Sequence, residues 1–144
     1  MKGFAVSLVL CVVLPATVMC GRAAEVSQRG PATLGEFWSA FRAAVAATDR
    51  EALASLTEFP VQTRGPSDSD PVVPQERASF VRMLGQLLET DSGMKPEPET
   101  MRDLIGRTPE LRPSSAGGAS VRLGSFVFRE VQGRWRFTMA YLDE

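Results

Sequence analysis

The chain has 144 residues, 16 Lys plus Arg against 17 Asp plus Glu, a net charge of −1 and 44% hydrophobic residues. That balance argues against nonspecific nucleic-acid binding, and the length fits one domain able to bury a core without covalent staples. There is no histidine, which removes the usual general base, the commonest transition-metal ligand and every Ser-His or Cys-His nucleophile pair, so neither metal nor cofactor is expected.

The first elements in the chain are an address. Lys2 supplies a positive n-region, Phe4 to Met19 is an uncharged apolar run broken only by Ser7, Pro15 and Thr17, and Gly21, Arg22, Ala23 and Ala24 offer a cleavage region. This predicts a signal peptide over 1–23, cut after Ala23, with small Gly21 and Ala23 where signal peptidase needs them. The run falls short of the roughly 20 apolar residues of a spanning helix. The rival is a lipoprotein acylated on Cys20, but a lipobox wants a small residue before that cysteine and Met19 stands there. Both cysteines, Cys11 and Cys20, fall in the leader, so the mature chain carries no disulfide and no thiol chemistry. Loss of Lys2 and Arg22 leaves 14 basic against 17 acidic residues, a net charge near −3. The expected compartment is the periplasm or the exterior, with membrane attachment only through a lipidated Cys20.

Residues 24–32 lack apolar periodicity and read as a flexible tether, with a single α+β domain over 33–144. Thr33 and Glu36 have capping-box spacing, and Leu34, Phe37, Trp38, Phe41 and Val45 follow as a helical stripe. Thr48 and Glu51 repeat the spacing and predict a second short helix carrying Leu53 and Leu56. Glu58 to Thr63 reads as an extended segment that Pro60 confines to an edge or a strand start. A loop from Arg64 to Pro74 is followed by a helix over about 75–90 with Phe80, Val81, Leu84, Leu87 and Leu88 inward. Asp91 to Glu99 is a second loop, Thr100 to Ile105 one or two helical turns, and Pro109 to Gly118 irregular. Lys95 is the only mature lysine, so the basic residues are almost all Arg, a signature of a GC-rich genome.

Gln132 and Gly133 lie between two β-rich runs and suit a two-residue hairpin turn. That turn pairs Phe128 with Phe137, Phe126 with Met139, Glu130 with Trp135 and Gly124 with Tyr141 on the core side. Arg129 with Arg136, Val127 with Thr138 and Leu123 with Leu142 then fall on the other side.

Candidate functional groups are few. Phe37, Trp38, Phe41, Phe126, Phe128, Trp135, Phe137 and Tyr141 are candidates for lining an apolar pocket, although such a stripe is more often core. Arg129, Arg134 and Arg136 gather near the hairpin tip and suit a carboxylate, a phosphate or an acidic partner. Ser67-Asp68-Ser69-Asp70 has the alternation of a calcium loop but lacks its glycine and spacing, and reads as a solvated turn. Gly117-Gly118 precedes a strand, so no helix N-terminus follows it to hold a phosphate. Tyr141 could polarise an oxyanion with Glu36 or Glu58 as base.

The string Glu36-Phe37-Trp38-Ser39-Ala40-Phe41, the second helix running into Phe59-Pro60, and the hairpin from Phe126 to Phe137 together resemble small exported NTF2-like, cystatin-like cones over most of residues 33–144. The resemblance implies N-terminal helices packed on a small curved antiparallel sheet ending in a C-terminal hairpin. Enzymes of that superfamily commonly pair His or Asp with Tyr in the cone, and here only Tyr141 matches. The expected function is therefore a noncatalytic exported domain that binds a partner protein or a small apolar ligand. The alternatives are an isomerase or hydrolase using Tyr141 and a carboxylate, and an immunity or envelope-assembly factor.

Intact mass of the exported chain is expected to place its N-terminus at Ala24, whereas a diacylglycerol on Cys20 would overturn that cut and move the protein to a membrane surface.

Overall fold

A computed structural model describes residues 30–113 and 118–142; the leader expected over 1–23 and its expected cleavage site lie outside these. The order of elements is α1 (Leu34–Ala47), α2 (Arg50–Ser55), β1 (Thr57–Arg64), β2 (Val73–Gln75), α3 (Arg77–Glu89), α4 (Met101–Arg107), β3 (Ser120–Leu123), β4 (Phe126–Val131) and β5 (Arg134–Tyr141). The helices pack against one sheet of order β2-β1-β5-β4-β3, so the fold is α+β. The sheet is mixed rather than wholly antiparallel. β1 runs parallel to β5, and between them the chain passes through β2, α3, α4, β3 and β4.

Local chemistry starts the helices as the sequence predicts, with one exception. Thr33 accepts from the Glu36 amide and Glu36 reaches back to the Thr33 amide, a complete capping box, and Thr100 with Asp103 makes a second for α4. At the α1–α2 junction Asp49, not Thr48, caps the second helix by accepting from the Ala52 amide. Thr48 instead ends α1 in a left-handed conformation with φ of 55°.

The C-terminal ends show how arginine is used. Neither α1 nor α2 has a basic residue in its last turn, yet each receives a guanidinium from elsewhere in the fold. Arg102 of α4 donates to the Val45 carbonyl at 3.0 Å, and Arg136 of β5 donates to the Ser55 carbonyl at 2.6 Å. Arg42 of α1 returns the contact by donating to the Gly106 carbonyl of α4 at 2.7 Å. Three helix ends that would leave carbonyls orphaned are thus tied to neighbouring elements by cations, which also complement the helix dipole.

Pro60 does not keep its strand at an edge. β1 is flanked by β2 and β5, and its pairing with β5 shifts between Thr57 and Gln62, across the cis Phe59–Pro60 bond, so the proline occupies the irregularity. The segment expected as loop from Arg64 to Pro74 already rejoins the sheet at Val73, where β2 pairs antiparallel with β1. Nor are Gly30 and Pro31 free, since their carbonyls accept from the Arg134 guanidinium and the Trp135 amide at 3.0 and 3.3 Å.

The Gln132–Gly133 turn is present, with φ of 51° and 73° at its two central residues, the left-handed pair of a type I′ hairpin. Near the turn the register matches the sequence reading: Phe128 opposes Phe137, Arg129 opposes Arg136 and Glu130 opposes Trp135. Beyond it a β-bulge intervenes, so that Val127 pairs with Met139 and Phe126 with Ala140, with Thr138 as the extra residue. The Thr138 hydroxyl donates to the Val127 carbonyl at 3.3 Å. The expected pairs Phe126–Met139, Val127–Thr138 and Gly124–Tyr141 are therefore displaced by one residue. Met139 moves to the face opposite Phe137, Ala140 takes its place in the core, and Tyr141 moves off the core face with Met139.

Phe37, Phe126, Phe128 and Phe137 are each 0% exposed, with Trp38 and Phe41 at 2% and 1%. Phe137→Ala is expected to cost about 3–5 kcal/mol, as truncation of a buried aromatic does. Arg136→Ala, which loses one charged hydrogen bond at the surface, is expected to cost about 1 kcal/mol. Urea unfolding of the two variants checks this, and equal losses would contradict the register.

Candidate functional site

Seven of the eight aromatic pocket candidates are packed into the core. Phe128 meets Phe37, Trp38 and Phe41 at ring-centroid distances of 5.4, 5.8 and 5.2 Å, and Phe137 meets Phe41, Phe80 and Phe126 at 6.0, 5.5 and 4.9 Å. Trp135 is buried in the same cluster. These rings fill one another's gaps, which is why the apolar stripe of α1 and the hairpin form a solid core. The indole of Trp38 is satisfied within the fold, donating to the Thr108 carbonyl at 3.0 Å.

The arginine trio shares one face of the hairpin, with Arg129 opposite Arg136, but two of its members are engaged within the fold. Arg134 and Arg136 are half-buried and spend a guanidinium N–H on the Gly30 and Ser55 carbonyls, which leaves Arg129 as the exposed member. Around Ser67, the Asp70 carboxylate accepts from the Ser67 amide at 2.8 Å, a self-contained turn, and no group of three potential metal ligands occurs among the described residues.

Tyr141 is the exception among the aromatics. The bulge at Thr138 turns it to the side of the sheet that carries Arg64, its partner on β1, and Arg122 of β3. There it lines a groove of about 440 Å³ together with Pro66, Asp91, Ser92, Met94, Arg122 and Ser125. The carboxylates proposed as its catalytic partners are elsewhere. Glu36 lies by a different groove, near Gly133 at the opposite end of β5. Glu58 is six residues from Arg64 along β1, up to about 20 Å away at the rise of a strand.

The groove is built by a tight turn and a clasped loop. β3 and β4 are joined by Gly124 and Ser125, with Gly124 at φ of 54°, the glycine-first arrangement of a two-residue hairpin. A Cβ on Gly124 would lie 2.7 Å from the Met101 sulfur and 3.0 Å from the Ser92 carbonyl, so glycine alone lets the turn sit against α4 and the loop. The Gly124 carbonyl accepts from Arg122 Nε at 2.9 Å, and the guanidinium carbon lies 4.2 Å from the centre of the Tyr141 ring. Ser125 is 7% exposed, and its hydroxyl is closed off from the groove with no hydrogen-bond partner.

The opposite wall is the loop from Asp91 to Glu99, closed by a bridge between Asp91 and Thr100. Its anchor is Glu99, whose side chain is 9% exposed and meets Arg107 and Lys95 at 2.5 and 3.0 Å. The hydrogen bond from Arg107 lowers the Glu99 carboxyl from 4.5 to about 2, against the opposing effect of desolvation and with help from Lys95. The same contact raises Arg107 above its ordinary value. Asp91 Oδ1 accepts from the Gly93 amide at 2.7 Å, which shapes the tip.

Sequence reasoning placed Tyr141 opposite Gly124 and did not single out Arg122, Ser125 or the loop from Asp91 to Met94. The one signal for this wall was Gly124-Ser125 between two apolar strand ends, the Gly-X pattern of a hairpin turn. The chain matches no family model, no curated protein and no solved structure.

Because Glu99 is more acidic folded than unfolded, its contribution to stability is complete above about pH 4.5 and is lost as pH falls toward 2. Urea midpoints measured across that window are expected to fall in the wild type and to lose part of that slope in Glu99→Gln.

Proposed function

We propose that this chain is an exported, noncatalytic domain of NTF2-like type that binds a small ligand or a partner's side group in the groove beside Tyr141. The observation that carries this reading is the Arg122 guanidinium on the wall of an open concavity, packed on the Tyr141 ring and meeting no carboxylate among the described residues. A concave surface with a fixed polar anchor of this kind is what a small ligand needs for orientation. The separation of Tyr141 from Glu36 and Glu58 supports binding over an isomerase or hydrolase built on those groups. Export is supported by the leader pattern, and among the described residues no helix is long and apolar enough to cross a membrane.

The test is native mass spectrometry of the mature protein recovered from its own periplasm. A bound species that Tyr141→Ala releases, with the circular dichroism spectrum unchanged, is the expected result. A wild type recovered bare, or a species retained by Tyr141→Ala, would contradict the assignment of the groove.

A further inference from the structure

We infer that the groove beside Tyr141 recognises a carboxylate carried on a small apolar body, with Arg122 as its specificity-determining residue. The inference deepens the binding reading above and rests on it. Arg122 is held on two sides, by its Nε donating to the Gly124 carbonyl at 2.9 Å and by the Tyr141 ring at 4.2 Å from its guanidinium carbon. Among the described residues its guanidinium makes no other hydrogen bond and no ion pair. A stacked guanidinium with its remaining N–H groups unspent is preorganised for a planar anion, since little rotamer freedom remains to be lost on binding.

The charge on the walls selects a monoanion. Arg122 is the one cation lining the groove, Asp91 places a carboxylate on the facing loop, and Arg64 stands beside Tyr141 on the neighbouring strand. One fork matches the two oxygens of a carboxylate, whereas a phosphate dianion needs more donors and meets Asp91 at greater cost. The rest of the lining is apolar in character. Met94 is 57% exposed, and with Pro66 and the Tyr141 ring it offers surface for a hydrocarbon or aromatic body. A volume of about 440 Å³ suits a small molecule or the last residue of a peptide chain.

The experiment titrates the 15N-labelled mature protein with phenylacetate, with phenylacetamide, and with acetyl-Ala-Ala-Phe bearing either a free or an amidated C-terminus. Saturable amide shifts at Gly93, Gly124, Ser125 and Tyr141 are expected with phenylacetate, the free-acid peptide or both, and which of them binds identifies the source of the carboxylate. Arg122→Gln is expected to weaken that binding about tenfold or more, the loss of one charge-assisted contact, while leaving the spectrum folded. Equal binding of acid and amide, wild-type affinity in Arg122→Gln, or no saturable shift would overturn the inference. The two readings fail separately: a native ligand without a carboxylate, released by Tyr141→Ala, overturns this assignment and leaves the binding domain in place.

Discussion

Phe137 meets Phe41 of α1, Phe80 of α3, and Phe126 and Phe128 of β4, at ring-centroid distances from 4.9 to 6.0 Å. It is the point at which the N-terminal helix, the third helix and the closing hairpin meet, and the remaining elements are arranged around that junction. The backbone amide of the same residue donates to the Leu56 carbonyl at 2.9 Å, which brings the end of α2 and the start of β1 alongside β5. The parallel pairing of β1 with β5 begins there, opposite Thr57. A core of mutually contacting rings buries enough apolar surface for the described residues, which contain no cysteine, to hold one fold.

The hairpin that fills the core also supplies the groove, and a single extra residue separates the two roles. Up to Phe137 the strand alternates with the sheet, placing Trp135 and Phe137 inside. Thr138 then adds one residue to β5, and every later side chain changes face: Ala140 enters the core at 0% exposure and Tyr141 turns to Arg64 and Arg122. Bulges commonly re-aim a side chain at the edge of a sheet, and here the re-aimed one is the only tyrosine of the chain. Its neighbours are fixed independently. Gly124 packs onto α4, where a side chain cannot fit, and Glu99 with Arg107 holds the facing loop to the far end of that same helix. Helix α4 is thus the shared support of both walls.

Arginine has structural work in this fold that its exposure alone would not suggest. Guanidinium groups from α1, α4 and β5 donate to carbonyls at the ends of α4, α1 and α2. Arg134 does the same for Gly30. A composition explained by codon usage and a fold that employs the residue are compatible, because a base bias supplies the arginines and packing decides which carbonyls they meet. The cluster near the hairpin tip, which in sequence looks like an anion site, is divided by these duties. Arg122, absent from that cluster, is the one placed against a ring and a cavity.

What the sequence by itself determined was local and periodic. The capping box at Thr33, the stripe from Leu34 to Val45, α3, the helical turns after Thr100 and the Gln132–Gly133 turn all rest on contacts within a few residues, so their signals are complete in the chain. The hairpin register followed as far as Phe128–Phe137 because the turn fixes it. Tertiary structure decided whatever depends on partners distant in sequence. β2 is three residues long and exists only because β1 offers it an edge, and Pro60 is accommodated inside the sheet by an irregularity that no local rule announces. Thr48 and Asp49 compete for one cap, and the left-handed end of α1 settles it in favour of Asp49. The bulge at Thr138 reverses the face of Tyr141, because alternation predicts a side only while the pairing stays regular. The groove joins residues from the loop after β1, the loop before α4, the β3–β4 turn and the end of β5, so its chemistry has no contiguous motif and exists only once those segments are folded together.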